Sequence, residues 1–202
     1  KLAEGIDALV LDVKTGNGAF MQKYEDSLAL ANALVGIGNS MGKKTVGFIT
    51  DMNQPLGYMS GNWLEGVESV ECLKGKVVPD LMEVTYVLGG AMLWLGKKAG
   101  SIEEGMEKCK AVIANGKAYE KFHELVKQQE GDTSYLDNPK KYPIATYSVE
   151  VRSDVNGFVS GYDTMQIGLL AIELGAGRMK VDDVLDMKAG IVITKKIGET
   201  VR

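Results

Sequence analysis

The chain is poor in the residues from which metal and nucleophile chemistry is most often built. Its 202 residues include one histidine and two cysteines. Cys72 and Cys109 lie far apart, with no Cys-x-x-Cys spacing and no histidine beside them, so they offer neither a zinc site nor a disulfide framework. Both read as packing residues of a reducing compartment. His123 stands alone between Phe122 and Glu124 in a charged helical stretch, and general acid-base work would need a partner that its own face does not supply. Basic excess is missing as well: the formal net charge is −4, whereas a nucleic-acid binder normally carries a basic stripe. Anionic small substrates stay open, because local rather than net charge governs a pocket. No apolar run reaches the length of a membrane span, and no charged-then-apolar leader precedes the first strand pattern.

What remains is an ordinary composition, 45% hydrophobic and 25% charged, enough for one fair-sized core or two smaller ones. The organising stretch runs from Asp7 to Met21. Ala8 to Asp12 reads as a buried strand continuing through Lys14, followed by a Gly16-Asn17-Gly18 turn and a helical pattern from about Met21 to Gly42. Lys43 to Thr50 is the next strand, so strand-helix-strand predicts a right-handed parallel crossover. In such a sheet ligands bind at the carboxyl ends of the strands, where Asp12, Lys14 and Asn17 are expected to face a crevice and Asp51 to lie along the same edge. Paired acids there either act in catalysis or hydrogen-bond loop N–H groups. Lys1 to Gly5 reads as the last turns of a helix whose body lies upstream.

Met52 to Asn62 is a second dense stretch, a structured loop with Pro55 and two glycines. Asn62 and Glu65 read as an N-cap and its capping-box partner. Glu65, Glu68 and Glu71 then share one helical face. They form either a solvated face or one carboxylate of a cation site completed by loop carbonyls. Pro79 and Asp80 begin an interior helix carrying Leu81, Val84, Leu88, Met92 and Leu95, and its Gly89-Gly90 pair implies a close approach by a neighbour. Ser101 and Glu104 cap a further helix to Asn115-Gly116, and Lys117 to Gln129 forms another. Gly131 to Pro143 reads as a linker. After it, Ala145 to Arg152 alternates with period two, Asn156-Gly157 supports a hairpin, and Phe158 resumes a strand. Thr164 to Leu174 is a short helix begun by Asp163, and Ala189 to Gly198 is a strand and turn with nothing to pair to. The expected fold class is α/β: a strand-helix-strand parallel-sheet portion (residues 1–140), then a smaller α+β domain with antiparallel strands (residues 141–202).

Lys1 to Gly5, Asp12-Val-Lys-Thr-Gly-Asn-Gly-Ala-Phe-Met21, Asp51-Met-Asn-Gln-Pro-Leu-Gly-Tyr58 with Gly61-Asn62, Gly175-Ala-Gly177 and Gly190-Ile-Val-Ile193 follow one another in the order found in one enzyme family. On these motifs the chain resembles the pyrimidine-nucleoside phosphorylases, which include the thymidine phosphorylases, and it is nearer the broad-specificity pyrimidine branch. The resemblance implies phosphorolysis of uridine, deoxyuridine or thymidine, with phosphate as co-substrate, giving the free base and the sugar 1-phosphate. It implies that Phe20 lines the pyrimidine pocket. It also implies that Leu56 and Met59, through backbone oxygens, and Glu68, through its carboxylate, belong to a potassium site, with Met59 standing where bacterial members often have alanine. The family's phosphate-binding segments, its base-gripping Arg and Ser and its substrate Lys are expected upstream of Lys1, leaving no catalytic residue in this chain. The isolated chain is therefore expected to be inactive and to bind potassium weakly. A cytoplasmic homodimer is the expectation for the full-length protein. Two other readings stay open: a binding module that keeps the fold without the chemistry, and a phosphoribosyltransferase of similar architecture.

Overall fold

The computed structural model describes residues 1–202, the side chain of Leu2 excepted. Its centre is the parallel pair formed by β1 (Ala8–Thr15) and β2 (Lys44–Asp51), in register from Ala8 opposite Lys44 to Thr15 opposite Asp51. The helix α1 (Tyr24–Ser40) makes the crossover. It begins three residues later than the periodicity predicts, because Met21 belongs to the preceding loop. Ser27, fully buried, ties that loop down: its hydroxyl lies 3.0 Å from the carbonyl of Met21 and 3.2 Å from that of Lys23.

Strand alternation divides the sheet into two faces. Odd-numbered residues face α1, as Gly47 against Val35 and Gly38 against Thr45 show. Even-numbered residues face α3 (Pro79–Leu95), which is preceded by α2 (Asn62–Leu73). The helix α4 (Ile102–Ala114) crosses α3 at Gly90 and Gly105. A Cβ on Gly105 would lie 2.5 Å from the Gly90 carbonyl oxygen, so these two glycines let the backbones meet. The expected close approach at Gly89-Gly90 is thus present. Ser101 caps α4 as anticipated, its hydroxyl accepting from the Glu104 amide at 3.2 Å. One expectation for α3 fails in part. Met82 and Ala91 are buried, but Met92 is 58% exposed, so the helix has an open flank.

The stretch from Gly131 to Pro143 is not a linker. After α5 (Lys117–Gln128) it forms a short helix, α6 (Ser134–Asp137), with Leu136 buried. Trp63 of α2 stacks on Tyr142 at 4.1 Å between centroids and meets Tyr135 edge-on. Polar composition suggested a free segment, and three aromatic rings outweigh it by packing.

The later strands also differ from expectation. Ala145 to Arg152 forms no strand pairing, although Tyr147, Val149 and Val151 alternate as a strand would, and all three are exposed. Asn156-Gly157 closes no local hairpin. Instead β4 (Gly157–Phe158) pairs antiparallel with β6 (Thr200–Val201), across some forty residues that include α7 (Thr164–Glu173). The apolar run near the end does find a partner: β5 (Ile191–Val192) pairs antiparallel with β3 (Met59–Ser60). Alternation reports that a strand is possible; which partner is taken depends on loops far away in sequence.

Candidate functional site

At the carboxyl end of the parallel pair three loops converge, and Asn17 joins them. Its amide donates to Asn53 Oδ1 at 3.0 Å, its side-chain nitrogen donates to the Tyr162 carbonyl at 2.8 Å, and its side-chain oxygen accepts from the Thr164 amide at 2.9 Å. Gly18 packs against Thr164, and its amide donates to the Met52 carbonyl at 3.0 Å. Thr164 is buried, and its hydroxyl has no hydrogen-bond partner among the described residues.

The residues singled out in the first strand separate. Lys14 pairs with Asp12 at 2.7 Å, and the Thr50 hydroxyl donates to Asp12 at 2.5 Å, so these three form a closed group on the α3 face. Asn17 turns the other way, to residues 162–164. Asp51 accepts from the amide and side chain of Asn53, at 3.1 and 2.6 Å. The two acids share an end of the sheet, and Asp51, which lines the cleft beside β2 together with Thr50, is a loop-shaping carboxylate. Beside β2, Thr50, Gln54, Leu56, Asp80 and Val84 line a cleft of about 410 Å³.

The Pro55–Met59 loop borders this cleft. Glu68 is only 3% exposed, and both its oxygens lie within hydrogen-bond reach of the Tyr58 amide, at 2.9 and 3.1 Å. Its carboxylate also abuts Gly57, whose φ of +69° and lack of Cβ permit the contact. Among the described residues no basic side chain pairs with Glu68. The solvated-face reading therefore fails for this residue: it is a buried carboxylate with one backbone donor, a state that favours a cation beside it. A buried carboxylate without a basic partner is chemistry that fits a monovalent cation, while the loop carbonyls of Pro55 and Gly57 accept from Lys196 and that of Tyr58 from the Ile193 amide. Glu65 accepts from the Gly61 amide at 3.0 Å, so the N-cap of α2 is Gly61. Asn62 lies one residue inside and donates to the Ala176 carbonyl at 2.7 Å.

Phe20, at the tip of the first loop, is 93% exposed and presents a bare ring beside buried Ala19. The cysteines are packing residues: Cys72 lies in a cluster with Val78 and Met82, and burial pushes both thiols up, away from reactivity. His123 has a partner that sequence reading missed, Asp137 at 3.7 Å, delivered by the 131–143 segment.

One further residue, Lys196, escaped the sequence reading. The ammonium of Lys196 enters the Pro55–Gly57 turn, 2.6 Å from the Pro55 carbonyl oxygen and 2.8 Å from Asp80 Oδ2, and it also donates to the Gly57 carbonyl. Burial raises the Asp80 carboxyl, but the Lys196 hydrogen bond and charge, with the amides of Leu81 and Gly57, hold it below its usual range. Tyr58 is pushed up by burial and then by Glu199, Asp80 and Glu68. Only the double Lys195-Lys196 after an apolar run hinted at such a role, and it reads equally as a solvated strand end.

A family model described as the a/b domain of a glycosyl transferase family matches residues 1–119, and the C-terminal domain of pyrimidine nucleoside phosphorylase matches residues 158–202. Pyrimidine-nucleoside phosphorylase of Bacillus subtilis (strain 168) is 46% identical over 201 residues, covering 100% of this chain and 46% of that protein. The same-named protein of Staphylococcus haemolyticus (strain JCSC1435) is 45% identical over 202 residues, covering 100% of this chain and 47% of the relative. The chain thus spans about half the length of the curated relatives it matches. With two consecutive family domains matched in order and nearly half its residues shared with these relatives, the chain belongs to the pyrimidine-nucleoside phosphorylase family of glycosyl transferases.

Proposed function

We propose that these residues form one wall of the active cleft of a pyrimidine-nucleoside phosphorylase acting on uridine, deoxyuridine or thymidine. In that reaction a phosphate oxygen attacks the anomeric carbon of the nucleoside. The C–O bond forms as the glycosidic C–N bond breaks, and the pyrimidine leaves with the bonding electrons and takes up a proton. The products are the sugar 1-phosphate and the free base. Such a reaction needs positioning and charge stabilisation rather than a covalent nucleophile.

The observation that carries the reading is Glu68, a buried carboxylate closed onto the Pro55–Met59 loop with one amide donor and no basic partner. Glu68 and the backbone oxygens of Leu56 and Met59 would hold a potassium ion, which when bound neutralises that carboxylate. The loop then keeps one shape beside the cleft. Phe20 offers an exposed aromatic face on which a pyrimidine can stack. The groups that grip phosphate and base lie outside these 202 residues, so the chain alone is inactive and holds potassium weakly. The complete enzyme is a cytoplasmic homodimer in this reading.

Complementation tests it. The chain is mixed with the N-terminal portion of the Bacillus subtilis relative, and phosphate-dependent release of uracil from uridine is followed by absorbance. Release is expected from the assembled complex and from neither part alone. Release by the 202 residues alone contradicts the inactivity. A complex that forms, binds uridine and releases no base contradicts the phosphorylase reading and favours a binding module.

A further inference from the structure

We propose that the Pro55–Gly57 turn is a second cation cage, filled by the tethered ammonium of Lys196, and that Lys196 is thereby a positioning residue for the loop bearing Leu56 and Met59. An ammonium has three donors. Here each has an acceptor: the carbonyl oxygens of Pro55 and Gly57 and Oδ2 of Asp80. The Tyr58 ring adds a π face, its centroid 5.1 Å from the nitrogen. The lysine side chain is 12% exposed. Two carbonyl oxygens, a carboxylate and an aromatic face make the donor set of a monovalent cation, and the chain supplies that cation itself.

The arrangement is built from one segment of the C-terminal region. Ile193 donates from its amide to the Tyr58 carbonyl at 2.7 Å, and Val192 pairs with Met59. Ile197 donates from its amide to Gln54 Oε1 at 3.1 Å, and Glu199 holds the Lys196 amide at 2.8 Å. Within the turn, successive amides go to different acids: Gly57 to Asp80 at 3.2 Å and Tyr58 to Glu68 at 2.9 Å. Asp80 carries a covalently delivered counter-ion; Glu68 carries none. The division leaves Glu68 as the position for an exchangeable ion while Lys196 fixes the turn around it. This last step rests on the potassium site proposed above, whereas the Lys196 cage does not.

The first experiment replaces the ammonium in the intact polypeptide. Lys196→Met is expected to raise hydrogen exchange at the Gly57 and Tyr58 amides at least about tenfold, since both lose a fixed acceptor geometry. Added methylammonium restores protection by re-entering the vacated cage, and tetramethylammonium at equal ionic strength, which has no donor, does not. Unchanged exchange overturns the proposal. So does a loss that methylammonium fails to reverse, which marks Lys196 as an ordinary ion-pair partner. Where Lys196→Met does not fold, the unaltered protein answers by reductive methylation. Lys196 is then expected to react at least about tenfold more slowly than exposed Lys121, in line with its buried, hydrogen-bonded amine, and equal rates overturn the cage.

In the assembled enzyme, Lys196→Met is expected to raise the potassium concentration for half-activation about tenfold while kcat falls less than about threefold, the split expected of coupled sites. Equal loss at every potassium concentration overturns the positioning role. Absence of phosphorolysis in the unaltered enzyme, by contrast, sinks only the functional reading and leaves the exchange and methylation results standing.

Discussion

The first hundred or so residues and the last fifty are held together by different means. In the former, β1, β2 and α1 to α4 pack through regular elements whose apolar faces repeat, and α3 and α4 meet backbone on backbone at Gly90 and Gly105. In the latter, β4, β5 and β6 are two residues each. That region is fastened by the β3–β5 pairing, by a close backbone approach of Gly190 to Gly61, and by single side chains, chiefly Asn17 and Lys196. Packing distributes its free energy over many atoms; a clasp concentrates it in a few polar groups. The two regions are therefore expected to fail separately.

The strongest way to break the first region is Gly105→Val. Its side chain meets the Gly90 backbone, and overpacking at such a crossing is expected to destabilise by about 3 kcal/mol. The denaturant midpoint read from amides of β1, β2, α3 and α4 should fall accordingly. Asn17→Ala attacks the second region. It removes the side-chain links to Tyr162 and Thr164, at an expected cost of about 2 kcal/mol. Limited proteolysis should then open the chain near residues 150–165 while amides of β1 and β2 keep their protection. If both parts open together, the separation is wrong.

How far sequence reached follows the same line. Periodicity located α1, α3, α4 and the parallel pair, since their faces repeat with periods set by the backbone alone, and Gly89-Gly90 announced the helix crossing. Short strands gave no such signal. Ala145 to Arg152 alternates and stays unpaired, while Ile191-Val192, read as partnerless, pairs with Met59-Ser60. At the site, the acids at spacing three were legible, but only the fold shows that Glu68 is buried against the Tyr58 amide while Glu65 accepts from Gly61. Asp12 and Asp51 share the expected edge, and of the two roles left open for them Asp51 takes the loop-shaping one, accepting from the Asn53 amide. Lys196 was invisible, its cage being made by residues 116 to 141 positions away.

Acid sharpens the contrast further. Since the Asp80 carboxyl is held below its usual range in the fold, it contributes stability above the unfolded-state value, and that contribution is lost as pH falls through the depressed folded value. Hydrogen exchange at residues 55–58 should accelerate below the ordinary carboxylate range, and Asp80→Asn should remove that acid-sensitive part of the profile. Amides of α1 should be indifferent. The smallest effect is expected at Thr164, whose buried hydroxyl lacks a partner. Thr164→Val is isosteric there and is expected to raise stability by about 0.5–1 kcal/mol, because an unsatisfied buried hydroxyl is removed without a void. A loss of that size in thermal melts would mean the hydroxyl is bonded after all.

The pairing of β3 with β5 carries a lesson about synthesis order. During translation, β1, α1 and β2 can assemble as soon as they leave the ribosome, for their contacts are near in sequence. The turn at Pro55 must wait until residue 196 has emerged, on the order of ten seconds later at ordinary elongation rates. Through that interval Glu68 and Asp80 lie in a half-made bed without the lysine destined for it. Whatever steadies those two acids in a nascent chain, whether solvent, dissolved salt or a chaperone, decides whether the last segment finds its berth.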